Sequence, residues 1–190
     1  MSNLKDKKAN FTRTILLDSA IELLQEHAMS DLSFKQISEN AGTSERTMFR
    51  YFANRALFLD ELTVKLYAQL EVPAIPDSSQ QLSGYLEALY DKFEQNHKLV
   101  EVLLSSDFYP RILQTRGRTR LQEIKSLLLQ DYPNCAQNLV LMTAANLRQI
   151  MSATSWWYYR VNFDFDPKTS INSANLLIEQ SLSLLELKGT

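Results

Sequence analysis

Cysteine, histidine, glycine and proline are all scarce in this 190-residue chain, which has one Cys, two His, four Gly and five Pro. The single Cys135 can close no disulfide within the chain and cannot found a cysteine zinc site, so a reducing cytoplasm is the expected setting. His27 and His97 stand far apart, without HxxH-type spacing, and Cys135 has no neighbouring His. No metal, cofactor or nucleophile–base pair is therefore expected. Gly84 and Gly117 are isolated, so nothing resembles a phosphate-cradling loop. The N-terminus lacks the apolar core of a signal peptide, and no apolar run approaches the roughly 20 residues of a membrane span. No internal repeat or low-complexity tract is present. An enzyme is not expected, and an all-helical enzyme stands only as a distant rival.

What the chain does have is apolar content, 45%, with little turn chemistry. That combination predicts an all-α fold of about nine helices, and no strand-period alternation opposes it. The net charge is only −2, so any polyanion must be met by local charge. Lys5, Lys7, Lys8 and Arg13 outweigh Asp6 near the N-terminus, and Arg46, Arg50 and Arg55 outweigh Glu45 further on. Residues 5–8 read as a solvated, disordered terminus that could double as a DNA-touching arm. The first helix is expected from Phe11 to His27, with Leu16, Ala20, Leu23 and Leu24 on its buried stripe.

The stretch Leu32–Phe58 organises the rest. Ser33 with Gln36 forms a capping box, and Leu32 with Ile37 a hydrophobic staple. The helix Phe34–Asn40 stops at Ala41-Gly42, where Gly42 can turn left-handed. Ser44 caps the next helix, Glu45–Tyr51, and Asn54 caps a third. Two short helices around a Gly-containing turn form a helix-turn-helix, whose second helix enters the DNA major groove. On that helix Met48 and Phe52 share a core-suited face, while Glu45, Arg46, Phe49 and Arg50 share another. Spacing alone leaves Phe49 open: a stacking residue between two arginines, or a second core residue in a small helix.

The run from Ala41 to Arg55, AGTSERTMFRYFANR, resembles the tetracycline-repressor (TetR) family pattern A-G-V-S-x-G-T-L-Y-x-Y/H-F-x-x-K. Arg13-Thr14-Ile15-Leu16 through Ala20 and Leu23-Leu24 look like that family's first helix. The likeness covers about the first third of the chain. Departures are Thr43 for Val, Arg46 for Gly, Phe49 for Tyr, Arg55 for Lys, and Ala28 where a helix-ending Gly is common. The resemblance implies a transcriptional regulator, expected to be a repressor, that binds double-stranded operator DNA as a homodimer. It places Thr47, Tyr51 and Arg55 on phosphates, and Ser33 and Ser44 at helix starts near the backbone. The outward face of the second helix assigns Arg46 and Arg50 to base edges and Phe49 to a thymine methyl or sugar.

Domains are expected at 1–55, the DNA-binding head, and 56–190, a helical ligand-binding and dimerisation domain. The third helix should run from Arg55 to about Glu71, before the Pro-rich break at 72–79. Beyond it come a helix capped by Ser78 or Ser79 and ending at Asn96-His97, a short one over 99–104, one from Pro110 to before Pro133, and a long one from Asn134 to about Arg160. A last helix should start at Thr169 or Ser170 and reach Lys188. That helix carries more leucine than one stripe can hold, which predicts a two-fold dimer face shared with the helix before it. The run Trp156-Trp157-Tyr158-Tyr159 points all ways around a helix, so its members cannot all enter one core. The family's inducer site lies among the middle helices, which nominates Phe93, Tyr109, Arg148, Ser152 and Trp156 and a hydrophobic or amphipathic effector. Arg111, Arg116, Arg118 and Arg120 read first as a solvated face, and second as an anion contact. The rival to a regulator is a helical adaptor that binds another protein, with DNA secondary.

Overall fold

The computed structural model describes residues 4–189, with side chains from Asp6 to Lys188. No strand occurs among them. The chain divides into two compact units. One comprises Met1–Gln69 with Glu101–Arg111, and the other Leu70–Val100 with Ile112–Thr190.

In the first unit, α1 (Leu4–Leu23) packs on α2 (Phe34–Asn40) and α4 (Arg55–Gln69), while α2 packs on α3 (Glu45–Tyr51). Leu16, Ala20, Ile37, Met48, Phe52, Phe58 and Leu62 form the core. The termini of the short helices follow local chemistry. The Ser33 amide donates to Gln36 Oε1 at 2.8 Å, and Ser33 Oγ accepts from the Gln36 amide at 3.2 Å. Asn54 Oδ1 accepts from the Leu57 amide at 3.0 Å, and Gly42 takes φ +64°. Such caps are each worth about 1 kcal/mol. Two ion pairs join α1 to α4, Arg13 with Glu61 and Lys65 with Asp18.

The expected start of α1 at Phe11 is corrected. The helix already runs at Leu4, because 4–10 holds no Gly or Pro to interrupt it, and residues 5–8 are helical instead of a disordered tail. The Lys5 side chain lies outside the described residues. The helix also ends at Leu23, before His27. Met29, which opens a 3₁₀ turn over Met29–Asp31, and Leu32, which follows it, are buried and draw the chain inward.

In the second unit, the turn Ser79–Gln81 leads into α5 (Leu82–Gln95). Helix α6 (His97–Leu104) begins in this unit and ends in the first, to which all but the last residue of α7 (Tyr109–Ile112) also belongs. After α7 comes a π-helical turn, Leu113–Gly117, which runs on into α8 (Arg118–Asp131). The helix expected over 134–160 is broken. Helix α9 spans Gln137–Ile150, α10 spans Ala153–Trp157, and a second π-helical turn covers Tyr158–Asn162. The break has a physical cause. Ser152 is extended and caps α10, its Oγ accepting from the Ser155 amide at 3.3 Å. The Tyr90 hydroxyl donates to the freed Ile150 carbonyl at 2.8 Å. Helix α11 (Pro167–Gly189) begins before the expected Thr169 or Ser170, because Asp166 Oδ1 accepts from the Lys168 and Thr169 amides. Pro167 is then preset for the first helical position. Helix α11 packs on α5 and α9 around Leu86, Tyr90, Ala144, Leu147, Ala174 and Ile178.

Candidate nucleic-acid interface

Helix α3 is seven residues long and amphipathic in cross-section. Met48 and the following Phe52 are buried, whereas Glu45, Arg46, Phe49 and Arg50 are exposed. Its start is fixed by Ser44 Oγ, which accepts from the Thr47 amide at 3.2 Å and lies 3.0 Å from Thr47 Oγ1. Arg46 and Arg50 form no ion pair with any described residue. Arg50 lies over the Tyr51 ring, 5.0 Å from its centroid. The two guanidiniums therefore reach solvent without a carboxylate to neutralise them, Arg46 in the first turn of α3 and Arg50 in its last.

Phe49 is 52% exposed, yet its ring meets Phe34 edge-on at 5.3 Å. Phe34 meets Phe58 at 5.4 Å, and Phe58 meets Phe52 at 5.0 Å, all edge-to-face. Arg13 closes the series 5.0 Å over Phe52. Phe49 is thus the outer member of an aromatic series running into the core. One edge is held by Phe34, and the rest of the ring is available to a partner.

Tyr51 sits where α3 meets α1. A hydrogen bond with Thr12 is the largest influence on its phenol, ahead of Arg50 and then the Lys8 charge, and the group is held below the ordinary tyrosine range. Lys8 and Thr12 bring α1 to this edge, which sequence spacing alone had not joined to α3. Arg55 has a different setting. Its Nη1 donates to the Leu32 carbonyl at 2.7 Å and its Nη2 to the Met29 carbonyl. The guanidinium ties α4 to the chain that precedes α2. Ser33 Oγ is likewise occupied by its capping box.

Residues 16–62 match the family model described as bacterial regulatory proteins, tetR family. These residues form a TetR-type helix-turn-helix domain. No curated protein matches the chain. Among solved structures, the chain is similar to native NalD, the secondary repressor of the MexAB-OprM multidrug efflux pump in Pseudomonas aeruginosa. Identity is 18%, over 93% of this chain and 96% of that one, with a TM-score of 0.61. A second NalD structure aligns at 20% identity over the same shares, with a TM-score of 0.55. The similarity is one of fold: a TetR-type helix-turn-helix domain followed by a helical C-terminal domain.

Of the residues nominated for an effector, two are in contact. Phe93 and Trp156 are buried and touch at 5.8 Å. Ser152 is engaged as the cap of α10, and Arg148 donates to the Gly117 carbonyl at 3.1 Å. Tyr109 belongs to the first unit, the other four to the second. Sequence reading missed Glu94, whose Oε1 accepts from the Trp156 indole at 2.8 Å and from Arg160 at 2.5 Å. Of the aromatic run, Trp156 is fully buried while Tyr158 is exposed. Within the arginine cluster, Arg111 pairs with Asp60 at 2.8 Å and Arg120 donates to the Tyr85 hydroxyl, so these two are committed internally. Among the described residues no group of His, Cys, Asp and Glu could hold a metal ion, and no helix is long and apolar enough to cross a membrane.

Proposed function

We propose that the chain is a repressor that binds a palindromic operator as a dimer and releases it on binding a hydrophobic or amphipathic effector. The observation that carries the DNA reading is the outward face of α3, where Arg46, Phe49 and Arg50 stand exposed over a buried Met48. Arg46 and Arg50 read base edges, with guanine the favoured partner of a bidentate arginine. Phe49 packs on a thymine methyl or sugar. Thr47 and Tyr51, and the backbone at Ser33 and Ser44, hold phosphates. Arg55, grouped with them by family likeness, acts here chiefly by fixing the turn that presents α2. The head at 1–55 supplies the contacts, and 56–190 supplies pairing and ligand response.

The dimer reading is supported by exposed Leu141 and Met142 on α9 and by Leu176, Leu177, Leu184 and Leu187 on α11. Contiguous exposed apolar side chains of this kind mark an interaction surface. The repressor reading draws on the described role of NalD, a repressor of similar fold. Ligand control follows from linkage: an effector that favours the state with the wrong head spacing releases DNA, and DNA weakens effector binding by the same factor.

The test is a footprint of the full-length protein on DNA upstream of its own and adjacent genes. A protected two-fold site with half-sites about one helical turn apart, roughly 34–36 Å, is the expected result. Binding that ignores sequence, or a single unpaired half-site, would overturn it.

A further inference from the structure

Helices α9 and α11 each present an outward stripe, uncharged from Asn138 to Gln149 on α9 and from Ser173 to Leu184 on α11. On α9 it is Asn138, Leu141, Met142, Ala145, Asn146 and Gln149, all exposed. Arg148 is turned aside to the Gly117 carbonyl. On α11 helical spacing carries the stripe through Ser173, Leu176, Leu177, Gln180, Ser181 and Leu184; exposed Lys188 continues it past Leu184, and exposed Glu179 and Glu186 flank it. Between the two helices lies a hollow of about 360 Å³, lined by Asn146, Gln149, Leu177, Gln180, Ser181 and Leu184. Its walls alternate leucine with amides.

Two-fold symmetry makes a sharp demand on such a surface. Each group faces its own copy or a symmetry-related neighbour. A carboxylate or ammonium there would meet like charge. A carboxamide is donor and acceptor at once, so it can pair with its own copy. A face of leucine, methionine and amides is therefore complementary to itself. Leucine alone would tolerate several offsets between helices, whereas a buried amide must find its partner, which selects one register at some cost in stability.

We propose that Asn146, Gln149 and Gln180 form a self-complementary key that fixes the register in which two copies of this chain pair. The proposal rests on the dimer reading above and adds to it the residues that align the pair, and with them the spacing of the two heads. The occupant of the hollow is the same face of a second copy.

The test compares wild type, the Asn146→Leu/Gln180→Leu variant and the near-isosteric Asn146→Asp/Gln180→Glu variant, all full length. Light scattering at micromolar concentration reads pairing, circular dichroism confirms retained helix, and a palindromic operator reads head spacing. The leucine variant should remain dimeric, because both members of each pair are removed together, yet lose operator affinity at least tenfold. The acid variant should dissociate at least tenfold more readily at neutral pH and re-form pairs as its carboxylates protonate. A leucine variant with operator affinity within twofold of wild type, or an acid variant that pairs as wild type does, overturns the key. If wild type itself is monomeric, the dimer reading falls and the key with it. Wild-type dimers with an indifferent acid variant remove the key alone.

Discussion

Two exposed helical faces of this chain carry large apolar side chains, yet differ in what surrounds them. On α3 the aromatic Phe49 lies among Arg46, Arg50 and Glu45. On α9, and on the stripe of α11 as far as Leu184, the leucines and Met142 are interspersed with amides, hydroxyls and alanine, and the charges of α11 lie at its flank and end. An aromatic ring flanked by uncompensated arginines suits a polyanion with apolar methyls and sugars at its surface. An uncharged face of leucine and amide suits a copy of itself. Apolar exposure alone does not name a partner; the neighbouring charges do.

Several substitutions should break or sharpen that contrast. The largest effect is expected from Leu177→Glu/Leu184→Glu, which places unpaired carboxylates in the pairing face. The cost should be about 4 kcal/mol or more, roughly a thousandfold in the dimer constant. Sedimentation would show monomers of unchanged helix content, and operator binding would fall with them. Next is the response to salt. Between 50 and 200 mM, operator affinity should drop by about a hundredfold or more through counterion release, while pairing holds steady or tightens. Parallel loss of both would show that the dimer face is electrostatic after all.

Arg50→Ala should cost about 1–3 kcal/mol of operator binding and relax preference at one base pair in each half-site. A library of operator variants would read this out directly. Arg55→Ala should act elsewhere. It removes two charge-assisted bonds to carbonyls, worth about 1–3 kcal/mol of stability, and should leave the salt slope unchanged. A slope reduced by about one with no change in melting temperature would return Arg55 to a phosphate. Smallest of all, Phe49→Tyr should shift stability and binding by less than about 0.5 kcal/mol, since the outer ring edge faces solvent.

What sequence reading resolved and what it missed divide by distance along the chain. The bounds of α2 and α3 were legible because their signals are adjacent: Ser33 with Gln36, Gly42 at positive φ, Ser44 with Thr47. The break between α9 and α10 was not, since the group that stabilises it, Tyr90, lies 60 residues from Ile150. The Arg55 ties span 23 and 26 residues and escaped for the same reason. The start of α11 was a different failure. Asp166-Pro167 is a readable cap and first position, but Thr169 competes as a capping residue. In the fold the Thr169 hydroxyl instead donates to Asp166 at 2.5 Å, and the carboxylate is held below its usual range chiefly by that bond. The site shows the same division. The outward face of α3 was readable from spacing, whereas the dual placement of Phe49 required Phe34, which belongs to another helix.

Cys135 is buried, and its thiol donates to the Leu185 carbonyl of α11 at 3.1 Å. A thiol-specific reagent reaches it only when that cover opens, at the end of α11 or in the stretch between α8 and α9 that carries the cysteine. Because Cys135 is the sole cysteine, every labelling event reports that one opening. The chain thus contains a native stopwatch for local opening at this contact. Pairing through α9 and α11 would slow the labelling in proportion to dimer occupancy, so protein concentration itself would set the pace of the chemistry.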